Sequence, residues 1–251
     1  VRLLDHMPGL YINVQMRNGT ASSEVEIRHE HNNIVKVVRN DEVLFAKTTS
    51  EETLEDIEFT FADIYHFAQT CDYSEIQAVL ELQISYNLQI AEEGLAHDWG
   101  AGIGKSVLKN AQSDKDYAIA YAAAGSDARM GGCEMPVIIN SGSGNQGLTV
   151  SLPIIKFAEL RDIPRDKLLR ALLFANLLAE YQKQGIGRLS AYCGVVSAAT
   201  AAVAGIAFLL DEEQSVVEQT IINGLAITSG MICDGAKASC AGKIAAAVSS
   251  A

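Results

Sequence analysis

Between Leu189 and Leu210 the chain carries no Asp, Glu, Lys or Arg. This charge-free stretch of 22 residues is long enough to cross a bilayer, so its composition has to decide between lipid and a protein interior. Ala, Gly, Ser and Thr dominate it, and these gain little from lipid; strong Leu, Ile and Phe content is confined to its last few residues. Small side chains instead let helix backbones approach closely. The stretch therefore reads as a helix buried at the centre of a helical domain, not as a membrane span.

The flanking sequence fits that reading. From about Thr53 apolar residues recur at three- and four-residue spacing, as in Ile84, Leu88, Ile90 and Leu95. Ser113 to Ala124 forms a candidate helix with Ser113 as cap, and Leu148 to Leu160 has a helical pattern. Pro164 to Gln184 is the clearest helix: Pro164 suits a first turn, Leu168, Leu169, Leu172, Leu173 and Tyr181 fall on one side, and Gly185 ends it. Ala198 to Leu210 and Ser215 to Gly230 add two more.

The N-terminal part reads differently. Tyr11 to Met16 and Val25 to His29 alternate apolar and polar residues, and Ile34 to Val38 and Val43 to Phe45 follow. Asn18-Gly19, Asn32-Asn33 and Asn40-Asp41 supply turns between them. The expected fold class is α+β: a short antiparallel β-meander over residues 1–52, then a mostly helical domain over residues 53–251. A sheet this small needs something to cover one face.

Charge narrows the partners. The chain has 31 acidic and 19 basic residues, a net charge of −12, and no basic cluster longer than a pair. Nucleic acid and anionic membrane surfaces are poor partners for such a chain. A small zwitterionic substrate is compatible with it, though the balance does not point to one. The first residues show neither the basic start nor the apolar core of a signal peptide, and the chain lacks an initiator Met, so a preceding segment is expected. Five cysteines are an odd number for a disulfide framework, and a reducing cytoplasm is the simpler setting.

Two groups of residues could carry chemistry. Asn140-Ser141-Gly142-Ser143-Gly144-Asn145-Gln146-Gly147 follows the apolar run Met135–Ile139 and precedes a helix. Its glycines allow tight turns and close approach to a ligand, and successive N–H groups at a helix start attract an anion such as a carboxylate. Ser141, Gly142, Ser143, Gly144, Asn145 and Gln146 are the candidate substrate-binding residues. No Gly-Lys-Ser/Thr follows, so the loop is not a P-loop. An ordinary helix-capping loop is the plainer alternative.

The second group is Cys193, Cys233 and Cys240, each beside small residues. Three thiolates can hold three irons of a four-iron cluster and leave the fourth iron open to substrate. The paired C-x2-C spacing of a zinc ribbon is absent. Buried packing is the alternative role for any one cysteine, and Cys71 and Cys133 read that way. Lys237 and Lys243 flank Cys240 and could balance a cluster's charge or meet a carboxylate. His29 and His31, two apart on a predicted strand, would share a face and could place a base or ligate a metal. His31 and Lys237 are the candidate catalytic residues.

The succession of the glycine loop, Tyr192-Cys193-Gly194, Cys233-Asp234-Gly235-Ala236-Lys237 and Ser239-Cys240-Ala241-Gly242-Lys243 resembles the L-cysteine desulfidase family, which is related to the α-chain of bacterial iron–sulfur L-serine dehydratases. The resemblance covers most of the chain and is strongest from Gly132 onward. The dehydratase branch spaces its last two cluster cysteines more widely, so the desulfidase branch is the nearer likeness. The resemblance implies a [4Fe-4S] cluster held by Cys193, Cys233 and Cys240. It also implies a lyase that eliminates sulfide from L-cysteine, giving pyruvate and ammonia after hydrolysis. L-serine dehydration on the same cluster is the alternative, and a non-catalytic metal-binding or redox-sensing helical protein is a second. Members of the family carry an N-terminal segment with a cysteine proposed to act in catalysis. Residues 1–10 contain none, so the base is expected outside this chain. A homodimer is expected from the helical surface and the incomplete sheet.

Overall fold

The hairpin turns of the N-terminal sheet that demand a left-handed backbone fall where Asn, Asp and Gly stand. A computed structural model describes residues 10–29, 32–47, 59–187 and 190–251 of the chain. Gly19 (φ 59°) turns strand β1 (Tyr11–Asn18) into β2 (Ala21–Arg28), and Asn40 and Asp41 (φ 47° and 66°) turn β3 (Ile34–Arg39) into β4 (Glu42–Ala46). Two consecutive positive φ values are what a two-residue hairpin needs to match the strand twist. The four strands form an antiparallel sheet in the order β1-β2-β3-β4. Val14 faces Val25, Val25 faces Val37, and Val37 faces Phe45, so one apolar stripe runs across the sheet. Ile12, Val14 and Met16 at its outer strand stay exposed.

His29 corrects the expectation for this region. It lies beyond the end of β2 with φ 64°, so it does not sit on a strand face shared with residue 31. Candidate residue His31 lies outside the described residues.

By proximity of the backbone the chain divides into two compact units, Val1–Glu58 and Phe59–Ala251. The second is helical: α1 (Phe61–Thr70), α2 (Gln77–Ala96), α3 (Ile103–Lys109), α4 (Asp114–Met130), α5 (Gly144–Leu160), α6 (Arg165–Ile186), α7 (Gly194–Leu209), α8 (Gln214–Thr228) and α9 (Ser239–Ser250). The fold class is thus α+β, a meander followed by helices. Thr60 with Asp63 and Ser113 with Asp116 form capping boxes at α1 and α4, each side chain satisfying the other's backbone N–H.

Helices α5 and α7 run through the centre. Leu148, Val150, Leu152 and Ile154 of α5 and Val196, Ala198, Ala201, Ala202 and Ala204 of α7 are fully buried. The charge-free stretch is therefore a core helix, and among the described residues no helix is long and apolar enough to cross a membrane. On one side of this pair Phe174 of α6 stacks on Phe208 of α7 with ring centroids 4.7 Å apart. On the other, α4 is pinched between two glycines. A β-carbon on Gly94 of α2 would stand 2.1 Å from the Ala124 carbonyl oxygen, and one on Gly104 of α3 would stand 2.5 Å from the Ala124 β-carbon. On this side α2 and α3 approach α4 to backbone distance.

Candidate active site

The glycine loop and the three cysteines meet where the N-terminal ends of α5, α7 and α9 share one apolar cluster: Leu148 and Leu152, Cys193, Val195 and Val196, and Ile244 belong to it together. The loop is shorter than its sequence implied. Asn140 and Ser143 exchange both backbone hydrogen bonds (3.2 and 2.9 Å), making Ser141 and Gly142 (φ 49° and 74°) a two-residue turn. The Ser141 N–H donates to Glu180 Oε1 at 2.7 Å, which ties the turn to α6. Ser143 is the N-cap of α5, accepting the Gln146 N–H at 3.4 Å. Gly144, Asn145 and Gln146 are the first helical turn itself, not loop. By position the N–H groups of Gly144 and Asn145 have no intrahelical acceptor.

Buried amides hold this turn in place. Asn87 of α2 donates to Ser151 Oγ (2.9 Å) and the Gly147 carbonyl (3.3 Å) and accepts the Ile138 N–H (2.9 Å). Gly147 permits the crossing: a β-carbon there would stand 2.0 Å from the Ile138 carbonyl oxygen. Neither Asn87 nor Gly147 carries a local sequence signal for this role, because their partners lie on other elements.

Cys193 is the N-cap of α7 and is buried, at 6% exposure. Tyr192 and Ile232 pair as an isolated antiparallel bridge. The Cys193 N–H donates to the Met231 carbonyl at 3.1 Å, and the Cys233 N–H donates to the Ala191 carbonyl at 2.7 Å. Cys193 and Cys233 are thereby fixed as diagonal neighbours on two paired backbones, a relation that puts α-carbons roughly 7–8 Å apart. Gly235 (φ 94°) then reverses the chain, and the Cys240 thiol, in the first turn of α9, points to the Gly235 carbonyl at 3.7 Å. Cys233 is exposed and Cys240 half-buried, so the group is sealed on the Cys193 side and open on the other.

The electrostatics link the three thiols. Burial pushes the Cys193 thiol up, the Val195 N–H pulls it back, and the charges of Cys233 and Cys240 add to the rise while Lys243 opposes it. Asp234 pairs with both Lys243 and Lys237, the latter at 3.2 Å, and these hydrogen bonds hold its carboxyl down at about 2. Lys243 also donates to the Ile232 carbonyl at 3.0 Å. The loop carrying two of the cysteines is therefore cross-braced by two lysines through one carboxylate.

Among the described residues no three His, Cys, Asp or Glu side chains close around a single metal ion. A four-iron cluster makes a different demand. It takes one thiolate per iron and so spaces its ligands more widely than one ion does. Three thiols from two paired backbones and a helix start, with Cys193 within range of the charges of the other two and of Lys243, fit that demand. Cys71 and Cys133 are half-buried against the two apolar clusters, away from the trio's hydrogen bonds.

Gln146 joins the two groups. A β-carbon on Gly194 would stand 2.6 Å from Cδ and Nε2 of Gln146, so the amide lies on the residue next to Cys193. Gln146 is 8% exposed, and its side-chain amide has no hydrogen-bond partner among the described residues. One further residue, which the sequence did not single out, belongs here. Arg129, at the end of α4, lies against the α5 start: a β-carbon on Gly144 would stand 2.3 Å from its Nε.

Known proteins resemble the chain over most of its length. The family model described as serine dehydratase alpha chain matches residues 20–251. Similar proteins include a UPF0597 protein of Lachnoclostridium phytofermentans, 49% identical over 96% of this chain and 59% of its own length. Another, from Finegoldia magna, is 47% identical over 90% of this chain and 55% of its own length. A third, from Treponema denticola, is 42% identical over the whole of this chain and 61% of its own length. The chain thus spans less than two thirds of the curated relatives it matches. No solved structure matches it.

Proposed function

The chain belongs to the serine dehydratase alpha chain family, and from that footing we propose that it forms the cluster-binding part of a lyase that eliminates the β-substituent of a small amino acid, with L-cysteine as substrate and sulfide, pyruvate and ammonia as products. The observation that carries this reading is the Tyr192–Ile232 bridge, which sets Cys193 and Cys233 as diagonal neighbours, with Gln146 of the first turn of α5 lying against Gly194. Cys193, Cys233 and Cys240 would hold a [4Fe-4S] cluster. When bound, the cluster supplies an iron without a cysteine ligand, a Lewis acid suited to a departing sulfur or hydroxyl.

The chain's own residues supply the rest of the site. The free N–H groups of Gly144 and Asn145 at the positive end of a long helix bind a carboxylate and oppose the charge that builds as the α-proton leaves. The Ser141–Gly142 turn, fixed to Glu180, keeps that helix end from fraying. Gln146, pressed on Gly194, offers an amide between carboxylate and cysteines. Of the two candidate catalytic residues only Lys237 lies within the described residues, on the cysteine loop and paired with Asp234.

The test is an anaerobic preparation of the full-length protein. A brown, oxygen-sensitive protein with a cluster absorption and EPR signal is expected, and Cys233→Ala should lose iron, acid-labile sulfide and turnover together. Wild-type iron and sulfide in that variant would falsify the ligand assignment. A second reading, L-serine dehydration, draws on the description of the family that matches the chain. Turnover of the two amino acids measured side by side separates them.

A further inference from the structure

Arg129 is a cation without an acceptor. Among the described residues its guanidinium makes no hydrogen bond and no ion pair, although it is only partly exposed and packs directly on Gly144. That position is electrostatically adverse. Gly144 begins a helix of 17 residues, whose N-terminal end carries a partial positive charge, so two positive groups abut there. Burial disfavours the charged form, and only the charge of Cys240 counters it. The nearest acid along the helix is committed elsewhere: Asp127 accepts the N–H groups of Ala101 (3.1 Å) and Gly104 (2.9 Å).

The same point collects other unsatisfied donors. The N–H groups of Gly144 and Asn145 have no intrahelical acceptor. The Gln146 residue is 8% exposed, its amide makes no hydrogen bond among the described residues, and it lies on the backbone beside Cys193. Arg129 lies on Gly144 at the helix end that carries these N–H groups, and together they match an acceptor with negative charge and more than one oxygen. A guanidinium and a pair of amides match a carboxylate, with the fork gripping both oxygens.

We infer that Arg129 is the residue that binds the carboxylate of the amino-acid substrate, clamping it between the α4 end and the first turn of α5. The inference rests on the elimination reading above and names the group that would select α-amino acids over simple amines. With the carboxylate held at Gly144, the rest of the substrate lies on the side where Gln146 meets Gly194 and Cys193. Arg129 thereby sets which end of the substrate faces the thiols.

The experiment compares wild type, Arg129→Gln and Arg129→Lys as anaerobically purified full-length proteins. Calorimetry measures binding of L-alanine, which keeps the carboxylate but has no leaving group, and of ethylamine, its counterpart without the carboxylate. Steady-state assays give KM and kcat for L-cysteine. Loss of one charge-assisted clamp should weaken L-alanine and raise KM by about 10- to 100-fold in Arg129→Gln, and by less in Arg129→Lys, which keeps charge but not the fork. Ethylamine binding, iron and sulfide content and melting temperature should stay at wild-type values. Unchanged L-alanine binding in Arg129→Gln overturns the assignment. So does loss of the cluster in that variant, which would make Arg129 a counter-charge to the thiolates. A wild-type protein without iron or turnover would instead sink the elimination reading, while the alanine and ethylamine comparison would still report on Arg129.

Discussion

The amide of Gln146 rests on the α-carbon of Gly194: a β-carbon added there would meet Cδ and Nε2 at 2.6 Å. What stands in the way is the free end of a flexible side chain, which can swing aside. At Gly147 the obstacle is the Ile138 carbonyl at 2.0 Å, which is backbone and cannot.

Two alanine substitutions should therefore part company. Gly194→Ala should keep its stability to within about 0.5 kcal/mol and lose substrate affinity, because Gln146 is displaced. Gly147→Ala should cost about 1–3 kcal/mol through overpacking. Urea denaturation and KM measured on both variants check the pair. A destabilised Gly194→Ala with normal KM would show that Gln146 serves packing alone.

The cysteines should separate in the same way. Cys193 sits in the apolar cluster at 6% exposure, while Cys233 is exposed. Cys193→Ser buries a hydroxyl and should destabilise the iron-free protein by about 1–3 kcal/mol. Cys233→Ser should stay within about 0.5 kcal/mol of it. Both should fail to bind iron. Thermal melts of the iron-free variants, with iron assays after reconstitution, read the two effects separately.

Asp127 should leave a signature in acid. Burial raises its carboxyl above the ordinary aspartate value despite the N–H groups of Gly104 and Ala101. A raised folded pKa means that the protonated form favours the fold. Its contribution is present below the unfolded value and is lost as pH rises through the folded one. Relative to Asp127→Asn, which cannot ionise, the wild type should be most favoured at low pH and lose ground toward neutrality. Asp127→Ala at neutral pH strands the buried Gly104 N–H and frees the more exposed Ala101 N–H, at a cost of about 1–3 kcal/mol. Urea midpoints of the three proteins compared in acid and at neutral pH test the sign.

The α4 cap should behave oppositely. The N–H groups of Gln112 and Ser113 and the Ser113 hydroxyl hold the Asp116 carboxyl low. Its stabilisation is present above the unfolded aspartate value and fades as pH falls through the folded one. Asp116→Asn should therefore match wild type more closely in acid than at neutral pH. Ser113→Ala should cost about 0.5–2 kcal/mol at neutral pH, less in acid where its bond to the Asp116 carboxylate is lost, and leave iron binding untouched. Equal loss in Asp116→Asn at every pH would remove the ionic part of the cap.

Local signals carried the sequence reading, and long-range ones did not. Asn18-Gly19 and Asn40-Asp41 were readable because few other residues accept a positive φ, and Pro164 with the Leu168 to Leu173 stripe marked α6 by its own periodicity. Ser113 announced α4 as a cap, though the helix runs on to Met130. The boundary at the glycine loop was misjudged, because Gly144 and Gly147 look like loop residues until the crossing of Ile138 explains them. His29 alternated properly but turned out to be a turn residue. Arg129 carries no pattern at all. Its meaning comes from packing between α4 and α5, 15 residues on from it in the chain (129 to 144).

The glycine pinch at Ala124 gives that packing a particular kind of rigidity. Side-chain interfaces can be retuned by trading one methyl for another, but an interface made of carbonyl against α-carbon has nothing left to trim. Arg129 lies five residues beyond Ala124 on the same helix, so its reach toward Gly144 is a machined dimension, inherited from the diameter of three bare helices. A single methyl at Gly94 or Gly104 would shift the guanidinium without touching it, and mutational defects there should look like binding defects seen from a distance.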